Sequence, residues 1–238
     1  GTAKTLTASG GQIRLVMDDL TATGGSLVYN TDTEEMQIVR ASGGAPAQIV
    51  QDQEDSTFTA VANSIRVRQD ASGNSVALFQ GGVRVRTIPK GPAPPAGVPV
   101  PTPDIQIALP GMGQQGTLAC SNLVYSSAQG HLTARGGVLV ETVDLFLDCQ
   151  ELEFFEPQSR MVATGPDLYM MKEDVEARCT RLTYLTDIGR IFLERRLPAD
   201  AQPQIWQNRA DHIFHAVADQ ITMTDMESGR SRVGWNGN

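Results

Sequence analysis

Aromatic side chains make up only 5% of this 238-residue chain, and cysteine occurs three times. Sugar rings usually stack on aromatic faces, so the first scarcity weighs against a carbohydrate-processing surface. Three cysteines cannot all pair within one molecule, which excludes a disulfide framework. No CxxC and no nearby Cys/His pairing is present to gather a zinc ion, and nothing else in the sequence requires a cofactor. Basic residues are also outnumbered: 19 Lys and Arg stand against 27 Asp and Glu, giving a net charge of −8 and a pI near 4.9. A nucleic-acid partner calls for a concentrated basic face, so that class is set aside. No apolar run approaches the ~18 residues that cross a bilayer. Residues 1–20 lack the basic-then-apolar order of a secretion signal, and the expectation is a soluble chain, mature or trimmed.

What is present is repetition. The three cysteines open "CSNLVY", "CQELEF" and "CTRLTY", each three residues before a leucine and five before an aromatic ring. Extended backwards, these become Gly116-Leu118-Cys120-Leu123-Tyr125, Leu145-Leu147-Cys149-Leu152-Phe154 and Val175-Ala177-Cys179-Leu182-Tyr184, with offsets 0, 2, 4, 7 and 9. The same offsets recur at Leu20-Ala22-Gly24-Leu27-Tyr29, Phe58-Ala60-Ala62-Ile65-Val67 and Phe214-Ala216-Ala218-Ile221-Met223. Steps of two keep side chains on one face of a strand, whereas a step of three turns them over unless the chain absorbs an extra residue. A bulge or corner therefore belongs in the middle of each copy. The residue before that corner is Gly, Ala, Cys, Cys, Cys or Ala, small in every case, and the cysteines read as small buried hydrophobes.

A turn signal follows each copy, as in Asn30-Thr31-Asp32, Ser126-Ser127-Ala128-Gln129-Gly130 and Thr186-Asp187-Ile188-Gly189. The returning strands share Gly-Gly-Val-x-Val in "ALFQGGVRVRT" and "LTARGGVLVET", with looser versions in "ASGGAPAQI" and "VATGPDLYM". The unit is strand, bend, strand, turn, strand, bend, strand. Successive small-residue positions are 38, 58, 29, 30 and 39 residues apart, so the repeat is about thirty residues with insertions, as expected of units that bury apolar faces by stacking. The widest interval holds the proline-rich residues 88–116, which cannot form a central strand. We expect one repetitive unit over 1–238 with 88–116 as a surface excursion; a linker between sub-blocks 1–87 and 117–238 is the other organisation. Both ends read as cut within a repeat, leaving unpaired strand edges.

Gly111 to Gly116 satisfies G-x-G-x-x-G, but Pro110 precedes it and a β-repeat follows. Without a helix N-terminus to hold a pyrophosphate it reads as loop glycine. His212 and His215 fall on opposite faces of a strand and make a poor metal pair. Asp144, Asp148, Glu151, Glu153 and Glu156 cluster in one repeat on mostly outward positions, as a solvated strand face does. Arg190, Arg195 and Arg196 are the candidates for meeting phosphates.

These repeats, a small residue followed by x-x-Leu-x-Tyr, a polar turn and Ala-x-Gly-Gly-Val-x-Val, resemble the OstA-like family. It includes periplasmic lipopolysaccharide-transport bridge proteins and the N-terminal domain of the outer-membrane translocon. The likeness spans most of the chain outside 88–116; the proline-rich insertion and the small interior residues of the first block depart from it. The resemblance implies an all-β fold, a twisted, slightly open β-jellyroll of strand-bend-strand hairpins whose interior holds acyl chains. It implies a periplasmic, non-enzymatic carrier of lipopolysaccharide or a related envelope glycolipid. Its partners would be other jellyroll domains joined by edge-strand pairing, a second copy of the chain included. The expected groove residues are Tyr29, Ile65, Val67, Phe79, Val83, Leu123, Tyr125, Leu132, Val138, Leu147, Leu152, Phe154, Met161, Met170, Leu182, Tyr184, Ile191, Leu193, Ile221 and Met223. Periodicity alone leaves them equally suited to a closed core. The alternatives are a structural β-solenoid spacer of the cell envelope and a polysaccharide-active β-helix enzyme.

Overall fold

The computed structural model describes residues 4–17, 19–53, 56–69, 72–90, 116–208, 213–225 and 231–236. The polar turns and period-two stretches produce β1 (Thr5–Met17), β2 (Leu20–Asn30), β3 (Glu35–Val39), β4 (Ala47–Asp52), β5 (Ser56–Ala62) and β6 (Ser64–Gln69). They continue as β7 (Ser75–Pro89), β8 (Gly116–Ser126), β9 (His131–Thr142), β10 (Leu145–Phe155), β11 (Arg160–Lys172) and β12 (Val175–Leu185). The series closes with β13 (Arg190–Glu194), β14 (Gln204–Asn208), β15 (Ile213–Val217), β16 (Gln220–Asp225) and β17 (Ser231–Asn236). All are antiparallel and belong to one 17-stranded sheet, so the chain is all-β.

The sheet is folded along its length. β2 pairs with β3 over 26–30 and with β4 over 20–23; β12 likewise pairs with β13 over 181–185 and with β14 over 175–178. Each long strand therefore contributes one half to a first wall and the other half to a second. The first wall runs β1, β2, β3, β6, β7 and on to β12, β13, β16 and β17. The second runs β1, β2, β4, β5, β7 and on to β12, β14 and β15. Both halves of a strand bury the same face, and their apolar side chains belong to one continuous core. Among the described residues the only helix is the short 3-10 turn Glu156–Gln158, so each wall is the cover for the other.

The fold line falls where the sequence pattern breaks step. Registers shift between Gln80 and Val83 on β7, Ala119 and Asn122 on β8, and Thr164 and Leu168 on β11. The wider detour lies on the returning strands. Between Cys120 and Val138, β8 passes through Ser121 while β9 passes through Gly136 and Gly137. Both glycines have left-handed φ, +83° and +66°, as do Gly81 at +78° and Gly82 at +63°. Two consecutive left-handed residues are what only Gly-Gly supplies without strain, which accounts for the repeated dipeptide.

Two copies of the offset pattern are not single strands. Phe58-Ala60-Ala62 ends β5 and Ile65-Val67 lies on β6, and the sixth copy divides between β15 and β16. The register passes from Thr87 of β7 directly to Gly116 of β8, so the chain leaves and re-enters the sheet at adjacent points around the proline-rich insertion. Residues 91–115, holding most of the insertion and of the G-x-G-x-x-G stretch, lie outside the described residues, as does His212.

Candidate functional site

The interior is built in lateral rows. Along the first wall, the row beside the turns reads Leu6, Tyr29, Met36, Val67, Ala77, Tyr125, Leu132, Phe154, Met161, Tyr184, Ile191, Met223 and Val233. The next row inward contains Leu27, Ile38, Ile65, Phe79, Leu123, Leu152, Leu182, Leu193 and Ile221. Val83 and Val138 stand at the fold line, and Leu147 and Met170, paired with each other, lie one step along the second wall. All twenty residues singled out in the sequence thus share one interior. Tyr29 and Tyr184, next to turns, are half-buried; the others are at most 5% exposed. The walls meet as a packed core.

Met36, Ile38, Ile49 and Ile205 belong to the same core and escaped sequence reasoning. They lie on short strands, β3, β4 and β14, where the returning strand is split. The alternation in "EMQIV" was the available signal.

The cysteines sit at the fold line with 5–6% exposure. Cys120 Sγ donates to the Asn122 carbonyl at 3.3 Å, across the corner. Burial pushes the Cys120 thiol up to about 11 and those of Cys149 and Cys179 to about 12, with the backbone amides of Asn122, Glu151 and Arg181 opposing the shift. Such thiols stay protonated and unreactive at neutral pH. Space explains the small residue at this position: a Cβ on Gly24 would lie 2.4 Å from Ile38 Cγ2.

The rim of the second wall differs. Gln51, Lys172 and Gln207 occupy inward positions there and are 3%, 7% and 9% exposed. Gln51 Nε2 donates to Asp19 Oδ2 and Gln207 Nε2 to Asp174 Oδ2, each at 3.1 Å, so acids in the hairpin turns satisfy the buried amides. Among the described residues the two ends of the stack have no such seal. Leu6 on β1 and Trp235 on β17 point to the interior side yet are 52% and 55% exposed, and Phe214 packs on Trp235 at 5.9 Å between ring centroids.

Two cavities lie at corners where a returning strand is split. One cavity, about 280 Å³, is bordered by Gly24, Gly25, Ala41, Pro46 and Gln48. The other, about 340 Å³, is bordered by Arg181, Glu194, Arg195, Arg196 and Asp219. There Arg195 donates to Asp219 Oδ1 at 2.5 Å and to the Pro198 carbonyl at 2.9 Å, and Gln220 holds Glu194 at 2.6 Å. Arg195 is a latch on the β13–β14 loop; Arg190 lies on the outer face of the first wall.

Of the acids, Glu151 accepts from Arg135 at 2.6 Å and Glu153 lies 3.7 Å from His131, on the outer face. They face away from the interior and do not converge into a catalytic pair. Among the described residues no group of three His, Cys, Asp or Glu is placed to hold a metal ion. The outer face of the second wall carries an aromatic series that composition concealed. Phe146 meets Tyr169 edge-on at 6.1 Å, and Trp206 stacks on His215 at 5.0 Å. No protein-family model matches the chain, and no curated protein matches it.

Proposed function

We propose that the chain is a non-enzymatic periplasmic protein that takes up the acyl part of lipopolysaccharide or a related envelope glycolipid between its two walls. The observation carrying this reading is the continuous apolar interior, which runs from β1 to β17 and, among the described residues, reaches both ends without a polar cap. Stacked β-repeats ordinarily need terminal units with a polar outer face. Exposed interior side chains at Leu6 and Trp235 therefore fit a stack that continues into another jellyroll, aligned by pairing of the edge strands β1 with β15 and β17. Transfer of apolar surface from water supplies the driving force for uptake. Movement along the interior draws energy from a partner.

The packing of Leu152 and Leu182, 2% and 0% exposed, favours the second reading, a closed β-solenoid acting as a structural spacer. A photo-crosslinking residue placed in turn at Leu152, Leu182 and the outward Glu153, with purified lipopolysaccharide, separates the two. Adducts at the leucines alone support uptake between the walls. A folded protein with no adduct at any site leaves the spacer.

A further inference from the structure

The outer face of the second wall has a division of charge about its middle strand. β8 presents only the small Thr117 and Ala119 there. On one side, β7 presents Arg84 and Arg86; on the other, β9 presents Leu139 and Glu141. The pairing places Arg86, Thr117 and Glu141 at one level and Arg84, Ala119 and Leu139 at the next. All the charged groups are exposed, and Leu139 is 37% exposed. Among the described residues, Arg84, Arg86 and Glu141 make no ion pair, although both signs are present on one face.

We propose that this face joins two copies of the chain in a two-fold dimer whose axis lies along β8. Rotation about such an axis keeps each residue's level along the strand and reverses the lateral order of strands. β7 then lies over the partner's β9, which sets Arg86 against the partner's Glu141 and Arg84 against the partner's Leu139, twice per dimer. Thr117 and Ala119 sit on the axis, where small side chains let the sheets approach to the ~10 Å of face-to-face packing. The same rotation carries β4 over the partner's β11, so Val50 meets the partner's Met171, a residue 43% exposed in the single chain. At the flank it brings Val16, 57% exposed, to the partner's Trp206.

Charge complementarity selects a second copy as the occupant. The half from β1 to β7 offers Arg14, Arg84 and Arg86, while its one acid on this face among the described residues, Asp52, is held by Lys90 at 2.7 Å. The half from β9 to β14 offers Glu141, Asp148 and Glu176, and its one arginine on this face among the described residues, Arg178, lies over the Tyr169 ring at 5.8 Å. Half-strands ~17 Å long at ~4.8 Å spacing, from β1 to β14, present on the order of 900 Å². A standard interface takes about 800 Å² from each partner. Because packed twisted sheets cross at about −30°, register is kept best near the axis, and the Arg86 pairs are the anchors.

Sedimentation velocity on the 238-residue chain tests this with Arg86→Glu, Glu141→Arg, their equimolar mixture and the double variant. We expect a dimer for the unaltered chain and about tenfold or greater weakening for each single variant, since each sets like charges opposite one another. The mixture pairs Glu with Arg at both contacts and recovers the dimer, as does the double variant. Thr117→Arg, which places two bulky cations at the axis, gives a monomer. Unchanged circular dichroism and urea midpoints are expected for these exposed positions and confirm folding. An unaltered chain that stays monomeric overturns the proposal, and so do single variants that still dimerise or a mixture that does not recover. Open-ended chains that grow with concentration and ignore all three substitutions would support edge pairing and eliminate this face.

Discussion

The two walls are halves of the same strands, yet they finish differently. The first wall stays apolar up to its turns, where Tyr125, Phe154, Met161 and Met223 form the last interior row. The second wall's last interior row interrupts Leu20, Phe58, Leu145 and Val175 with the polar Gln51, Thr87, Lys172 and Gln207, while both walls carry exposed apolar side chains outside, Val28 and Val124 on the first and Leu139 and Met171 on the second. A rim of Tyr and Met can slide over an apolar guest, since Met adapts to irregular surfaces and Tyr joins an apolar body to a wet tip. A rim of amides bound to turn carboxylates has a fixed geometry that opening would break. Under the proposed uptake, the first wall would supply the movable lip and the second the fixed one.

The severest way to break this contrast is to charge its centre. Leu182→Asp puts a carboxylate where the leucine is fully buried, and we expect a loss of about 4 kcal/mol or more in urea unfolding. Lipid capture would then be lost through unfolding alone, and crosslinking at the native residue is the cleaner test of uptake. Next come the lips. Phe154→Ala should cost about 3–5 kcal/mol, whereas Gln51→Ala, which leaves Asp19 without its amide, should cost about 1–3 kcal/mol. Near-equal losses at these two positions would remove the distinction between the walls.

At the fold line, Gly136→Ala should destabilise more than Gly137→Ala, although both are left-handed. A Cβ on Gly136 meets Ser121 Cβ at 2.8 Å, and one on Gly137 has nothing within 4 Å, leaving only a backbone penalty of about 1–2 kcal/mol. Paired urea midpoints read the difference. Alkaline pH probes the same line. The three folded thiols titrate at about 11 to 12, above their ordinary value of 9.0. Their contribution is complete below pH 9.0 and declines as pH rises toward about 12, because the unfolded chain gives up those protons first. The melting temperature should fall over that window, and less so in a variant with all three cysteines changed to Ala. Smallest of all, Glu151→Gln removes an exposed pair with Arg135 and should shift stability by no more than about 1 kcal/mol.

Much of this was readable beforehand because strand periodicity is a local signal. The interior residues and corners of β8, β10 and β12 follow from offsets within one strand, and the small fold-line residues follow from crowding there. Lateral pairing was not readable where strands skip a neighbour in sequence, as β3 does to reach β6 and β13 to reach β16. That choice depends on loops such as Arg195–Pro203, whose latches join residues far apart in sequence. The aromatic series on the second wall was hidden for the same reason: Phe146, Tyr169 and Trp206 come from three strands with no shared motif. Whether the walls touch is a matter of side-chain volume across the fold, and period two carries no information about it.

The splitting of strands toward the ends also sets an order of events. From β8 to β12, successive strands are full-length hairpin neighbours, whereas β7 reaches β8 only across the proline-rich insertion and the outer parts of the stack are assembled largely from half-strands tied to partners across intervening loops. Contacts local in sequence form at lower entropic cost, so the central hairpins are the natural nucleus and the terminal strands join last. Amide exchange should therefore be slowest along β8 to β11 and rise toward the edge strands β1, β15 and β17.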